Sequence, residues 1–247
     1  MGPAGGALSP DAPRCYTTAL WSNGRARFDL RHARRLVRDV QATGLGSLEI
    51  GACLDLFGEL GRSAFGPATG IVRLDAWREG GALRLAGTTR PVGDSPSTWS
   101  AIVAHIAHPG LGPWPGAKLA NHPEVAAARD AARAAGADDA LLLDRAGRLV
   151  ECARTCPFVV LQGGSLVTPP LSRGGVASVA REILLTRVPK IAERDVSRAE
   201  LATLRELVLA NAVRGAVAVV RLDGAPIGGG APGPVALRLA AALDAED

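Results

Sequence analysis

The mix of apolar, aromatic and β-branched positions in CYTTALWS (15–22) reads as a strand. Asn23-Gly24 follows as a hairpin turn signal, and RARFDL (25–30) is expected to return as a second strand. The pattern then changes. In RHARRLVRDVQA (31–42), His32, Leu36 and Val40 share one face of a helix with arginines on the other, and Gly44 and Gly46 close it. IGACLDLFGELG (50–61) predicts a second helix. GIVRLDAW and ALRLAGTT, separated by REGG, predict another hairpin, and TWSAIVAHIAH (98–108) one more strand. Residues up to 107 therefore read as a small N-terminal α/β domain.

HPGLGPWPGA (108–117) is rich in Gly and Pro and reads as a linker. Beyond it, residues 118–247 read as a second, larger domain. An alanine-rich helix is expected at 122–135, with Gly136 just past its end. Strands follow at ALLLD, RLVECA, PFVVLQ and SLVTP, separated by turns at Arg145-Ala146-Gly147 and Gly163-Gly164. A helix is expected at 176–187 and another over SRAELATLRE (197–206), where Ser197 and Glu200 have the spacing of a capping box. LVLANA and GAVAVVRLD return as strands, and a last helix covers 233–243. The fold class is α+β.

Composition narrows what the chain can do. Of its 247 residues, 47% are hydrophobic and 21% charged, enough for a buried core. Aromatics make up 4%, with Tyr16 the one tyrosine, which argues against a platform for stacked bases. The net charge of +4 is spread along the chain, so no nucleic-acid partner is expected. No apolar run reaches the roughly 18 residues of a membrane helix, and MGPAGGALSPDAPR reads as a loose tail without the pattern of a signal peptide. Cys15, Cys53, Cys152 and Cys156 lack metal-site or disulfide-scaffold spacing. The expectation is a cytoplasmic protein with reduced thiols, no metal and no membrane partner.

The 28 basic residues include only two lysines, Lys118 and Lys190. Chemistry that needs a lysine amine therefore has two candidates. Lys118 sits in an apolar setting, GAKLAN, where desolvation lowers an amine's pKa and makes it nucleophilic. Glu151 ends the apolar strand GRLVE, 33 residues later, and the helix and hairpin between can bring the chain back. A carboxylate there could hold the protonated ring nitrogen of a pyridine cofactor. Taken alone, Glu151 reads as a strand-end glutamate facing water.

The order of segments decides between these readings. KLANHPEVAAARDAARAAGADDALLLDRAGRLVECARTCPFVVLQGGSLVTPPLSRGGVASVAREILL resembles the class IV aminotransferases, the pyridoxal phosphate (PLP) enzymes of fold type IV. The family has a lysine opening a helix, a hairpin delivering a glutamate, a strand ending in T-P-P, and a Gly-rich turn into a helix. The resemblance implies a small N-terminal domain and a larger C-terminal domain with a mixed, β-barrel-like sheet. It implies Lys118 as the catalytic, cofactor-bonded lysine and Glu151 as the ring-nitrogen partner. Arg35, in the H-x-x-R-L of HARRL, would contact the cofactor phosphate, as would Ser178, Val179 and Ala180 at the helix start and Asn211 and Ala212 in the tail ANAVRG. Tyr16, Thr17, Thr18 and Arg90 are candidates for the substrate side. A homodimer and a small amino substrate are implied as well.

The chain departs from the family in places. Ser178-Val179-Ala180 stands for Gly-Ile-Thr, Thr155-Cys156 for Ser-Asn, and Pro123 for a tyrosine. CYTTALWSNGRARFDLRHARRL and Lys118-Leu119-Ala120-Asn121 look most like 4-amino-4-deoxychorismate lyase, which releases pyruvate and 4-aminobenzoate. Branched-chain or D-amino acid transamination is the alternative, and a relative that binds without turnover is a second.

Overall fold

The computed structural model describes residues 12–245, so most of the expected N-terminal tail lies outside the described residues. The described chain forms two compact units. One takes the residues up to Val92 together with Ala117–Asn121. The other takes Gly93–Gly116 and His122 onward. The expected boundary ran through 108–117. The units instead change over at Val92, and the short piece holding Lys118 packs with the first.

The first unit contains β1 (Cys15–Ser22), β2 (Arg25–Ala26), α1 (Asp29–Ala42), α2 (Ile50–Phe65), β3 (Gly70–Glu79) and β4 (Ala82–Pro91). Its antiparallel sheet has the order β2-β1-β3-β4. Burial alternates along β1, which fixes the face that is covered. Cys15, Ala19 and Trp21 join Val72, Leu74 and Ala76 beneath Ala33, Leu36 and Val40 of α1 and Cys53 and Phe57 of α2. Gly61 lets α2 come down onto β1, since a Cβ there would lie 2.1 Å from the Trp21 ring. The strand expected over 25–30 stops after Ala26. Phe28 takes a left-handed φ of 57°, which a strand cannot contain, and α1 starts at Asp29.

The second unit contains β5 (Thr98–Val103), α3 (Pro123–Ala134), β6 (Asp139–Leu143), β7 (Leu149–Cys152), β8 (Cys156–Val160), β9 (Leu166–Thr168), α4 (Val179–Arg187), β10 (Ile191–Glu193), α5 (Arg198–Leu201), β11 (Glu206–Asn211), β12 (Gly215–Leu222), β13 (Ala225–Pro226) and α6 (Pro234–Asp244). Its sheet runs β10-β9-β8-β11-β12-β5-β6-β7, with β13 on β12. The pairs β10–β9, β12–β5 and β5–β6 are parallel and the rest antiparallel. The sheet curls until its ends meet: Leu149 N–H donates to Val196 O at 2.8 Å, and Arg198 N–H to Gly147 O at 2.9 Å. This is the mixed, barrel-like sheet the sequence implied.

The unbroken apolar run of β6 is explained by burial on both faces. Leu141 and Leu143 face the core shared with Leu149, Val159, Leu207 and Val219, while Ala140 and Leu142 pack against Ala128 and Ala132 of α3. Two expectations shrink. TWSAIVAHIAH is a strand only to Val103 and belongs to this sheet. The helix read over 197–206 is one turn, although its capping box is present.

Candidate active site

Three residues on one face of α1 organise the first unit's chemistry. His32, Arg35 and Asp39 recur at helical spacing and all are buried, although two are ionic. Thr17 of β1 meets two of them. Its hydroxyl accepts from Arg35 Nη2 at 2.6 Å and shares a 2.7 Å hydrogen bond with His32 Nδ1. Burial, with the Arg35 and Lys118 charges beside it, pulls His32 well below the ordinary histidine pKa. Burial therefore favours the neutral form of the His32 imidazole.

Asp39 fixes the Lys118 segment. One carboxylate oxygen accepts from Lys118 N–H at 3.0 Å, while the other takes the Arg38 guanidinium at 2.6 and 3.0 Å. The segment also extends the edge of β1. Tyr16 N–H donates to Lys118 O at 3.1 Å, and Ala120 N–H donates to Arg14 O at 2.8 Å. Lys118 Nζ consequently lies 4.8 Å from the centre of the Tyr16 ring, and the Arg73 guanidinium carbon lies 4.0 Å from it.

Register sorts the substrate candidates. Tyr16 pairs with Asp75, Thr18 with Arg73 and Leu20 with Ile71, and Arg90 pairs with Ile71 in turn. Tyr16, Thr18 and Arg90 therefore share the sheet face away from the helices. Thr17 points to the helix side, where its hydroxyl is spent on Arg35 and His32.

In the second unit, Glu151 lies on β7 and is buried. One carboxylate oxygen is 3.2 Å from His108 Nε2, and the other accepts from Val176 N–H at 3.0 Å. Each oxygen keeps a further lone pair, so the group can still accept from a ligand N–H. The turn after Thr168-Pro169-Pro170 leads into α4. Ser178 caps that helix by accepting from Arg181 N–H at 3.2 Å, and its own hydroxyl proton remains available to donate. Val179 and Ala180 are buried, and their N–H groups donate to no acceptor among the described residues. A buried helix N-terminus of this kind suits an anionic group. Each unit by itself carries groups that fit PLP: in the first, a guanidinium and an amine suit a phosphate and an aldehyde; in the second, a helix start suits a phosphate and an acceptor-only carboxylate a protonated ring.

The profile of the class IV amino-transferases matches residues 14–222. The chain belongs to that family of enzymes. A probable branched-chain-amino-acid aminotransferase of Aquifex aeolicus is 29% identical over 119 residues, which cover 46% of this chain and 38% of that one. The match thus spans well under half the length of that relative. Among solved structures, a Legionella pneumophila protein assigned as a 4-amino-4-deoxychorismate lyase superposes with a TM-score of 0.85 at 18% identity, covering 97% of this chain and 94% of its own. A hypothetical aminotransferase from Mycobacterium tuberculosis in its PLP-bound form gives a TM-score of 0.80 at 21% identity, covering 99% and 94%. At these identities the likeness is one of fold.

The class IV departures have local consequences. Asn211 Oδ1 accepts from Val213 N–H at 3.0 Å and Arg214 N–H at 2.7 Å, so this side chain shapes the turn from β11 to β12, and Ala212 is buried within that turn. Thr155, at the Ser-Asn position, donates to the buried Asp139 at 2.7 Å. Pro123 opens α3. Two residues were missed. Asp39 carried a signal, as a charge on the apolar stripe His32-Leu36-Val40. His108 carried only its place in a Gly/Pro stretch, which hid that its side chain is 1% exposed.

Proposed function

We propose that this class IV amino-transferase relative uses PLP and acts as a 4-amino-4-deoxychorismate lyase-like enzyme, giving 4-aminobenzoate and pyruvate. The observation that carries the cofactor reading is the grouping of buried Arg35 and His32 with half-buried Lys118 in the first unit. The Arg35 and Lys118 charges beside His32 favour an anion there. When bound, PLP supplies an electron sink for the substrate carbon that bears the amine.

The chain's residues would do the following. Lys118 would hold PLP covalently, and its Nζ would serve as the base for the proton of the substrate carbon that bears the amine. Asp39 positions it by holding its backbone N–H. Glu151 accepts from the ring N–H and keeps that proton in place. The groups suited to the phosphate are Arg35 in the first unit and, in the second, the Ser178 hydroxyl and the N–H groups of Val179 and Ala180, with Asn211 and Ala212 proposed as cofactor-binding residues too. Arg90 takes a substrate carboxylate, with Tyr16 and Thr18 on the same sheet face. Thr17 acts on Arg35 and not on the substrate.

The lyase reading is supported by CYTTALWSNG, by Lys118-Leu119-Ala120-Asn121 and by Pro123 in place of the tyrosine. Transamination of branched-chain or D-amino acids is the second reading, supported by the likeness to the Aquifex aeolicus protein. A homodimer is part of the proposal, as is a reducing, cytoplasmic setting, with which four buried free thiols agree. No helix among the described residues is long and apolar enough to cross a membrane.

The test is the near-visible absorption of the purified protein supplied with PLP, before and after borohydride, beside Lys118→Ala. A band that borohydride removes and the variant lacks is expected. Formation of 4-aminobenzoate, without keto-acid-dependent amine transfer, then separates lyase from transaminase. No band in the wild type refutes the cofactor reading and leaves the non-catalytic one.

A further inference from the structure

His108 stands outside the functions assigned above, yet it is among the most buried polar residues of the chain. Its ring makes two hydrogen bonds of opposite sense. Gly110 N–H donates to Nδ1 at 3.0 Å, and Nε2 lies 3.2 Å from Glu151 Oε1. The first bond fixes the second. An imidazole nitrogen that accepts from a backbone N–H carries no proton, so the ring proton is on Nε2 and is donated to Glu151. A second proton on Nδ1 would face the Gly110 N–H and break that contact.

The loop is held rigidly enough for this to matter. At Gly174, φ is 102°, and a Cβ there would lie 2.2 Å from Gly110 O, so the turn after Pro169-Pro170 packs directly on the residue that sets the tautomer. The His122 ring stacks on His108, with centres 5.9 Å apart and planes 25° from parallel. Glu151 therefore has a donor on each oxygen, one from a side chain and one from Val176 N–H. Two donors, one on each oxygen, fix the plane of the carboxylate.

We propose that His108 is a positioning residue for Glu151: a neutral imidazole in a single tautomer, donating from Nε2, that keeps the carboxylate oriented as an acceptor for the cofactor ring nitrogen. This rests on the proposed role of Glu151, but the state of His108 is a property of the cofactor-free protein as well. The pair is a directed hydrogen bond and not an ion pair. A glutamine, whose amide N–H reaches where Nε2–H does, can replace it in part. A leucine cannot.

The experiment has two arms. Nitrogen NMR of 15N-histidine protein at pH 7.5, without cofactor, reads the tautomer, with the His108 signals identified by their loss in His108→Gln. The expected result is a protonated Nε2 and a bare Nδ1, with the Nε2 shift moving in Glu151→Gln. A protonated Nδ1, alone or together with Nε2, overturns the proposal. The second arm uses ring-15N PLP with wild type, His108→Gln and His108→Leu, each checked for native circular dichroism. His108→Leu should bind PLP about tenfold more weakly or worse, and its ring nitrogen should lose its proton about one pH unit lower. His108→Gln should recover most of both. Unchanged affinity and an unchanged ring nitrogen in His108→Leu overturn the positioning role. Failure of wild type to take up PLP overturns the proposed function and the cofactor half of this inference, while the tautomer stands or falls on the first arm.

Discussion

Asp139 offers a quantitative test of how the second unit is held together. It opens β6, is 1% exposed, and accepts from Thr155 Oγ1 at 2.7 Å and from Ala140 N–H at 2.8 Å. Burial raises its pKa from 3.8 to about 6. The Thr155 and backbone hydrogen bonds and the Arg154 charge lower it but do not offset the desolvation. The sign follows from linkage. Between those two values the folded protein holds a proton that the unfolded chain has released, so the group's contribution to stability falls as pH rises through the window and stays low above it. The whole displacement amounts to about 3 kcal/mol at most. Asp139→Asn removes the charge and keeps the shape. Its amide oxygen can still accept from Ala140, and its amide nitrogen can donate to the Thr155 oxygen. The variant should be more stable than wild type by up to about 3 kcal/mol at pH 8 and nearly equal to it near pH 4. Urea titrations with a thiol-labelling pulse, located by mass spectrometry at Cys152 and Cys156, report the second unit alone, because both thiols are buried there. A gap between variant and wild type that does not change from pH 4 to pH 8, or a variant less stable at pH 8, would refute the reasoning.

Three further outcomes test the first unit. Asp39→Ala leaves the Lys118 N–H and the Arg38 guanidinium without their carboxylate, and should cost about 2–3 kcal/mol in chemical denaturation, with Asp39→Asn costing less because it can still accept from Lys118. Thr17→Val keeps the volume of the side chain but strips the hydroxyl shared by Arg35 and His32; PLP affinity measured by fluorescence titration should fall about fivefold or more. Gly61→Ala drives a Cβ into the Trp21 ring and should lower stability by about 1–3 kcal/mol, read as a downward shift in thermal midpoint, whereas Gly24→Ala meets no neighbouring atom and is strained only by its φ of 76°.

Local pattern was enough for some of this protein. Residues 15–22 were legible as a strand, but its buried face, with Cys15, Ala19 and Trp21, came only with the helices packed on it. The REGG hairpin and the Ser197–Glu200 capping box were equally local, since each is closed by residues a few positions apart. The ordered run from Lys118 through Glu151 to the T-P-P turn pointed to the family that the profile match bears out. The place of Thr17 was not legible, because alternation assigns faces in pairs but does not say which face holds Arg35.

The tertiary structure decided what depends on distant partners. The pattern of TWSAIV says strand, but its neighbours are β12 and β6, and parallel pairing across more than thirty residues leaves no mark in the local period. For the same reason a Gly/Pro stretch that reads as linker carries the buried His108, held by Glu151 and by the turn at Gly174. Asp39 stands out as a charge beside the apolar stripe of α1, but its use is decided only by the Lys118 segment, 79 residues away, which brings it a backbone donor. Sequence determines which residues can be buried and with what periodicity. Only the closed structure determines which hydrogen-bond partner each buried polar group finds, because those bonds join residues that the chain itself keeps far apart.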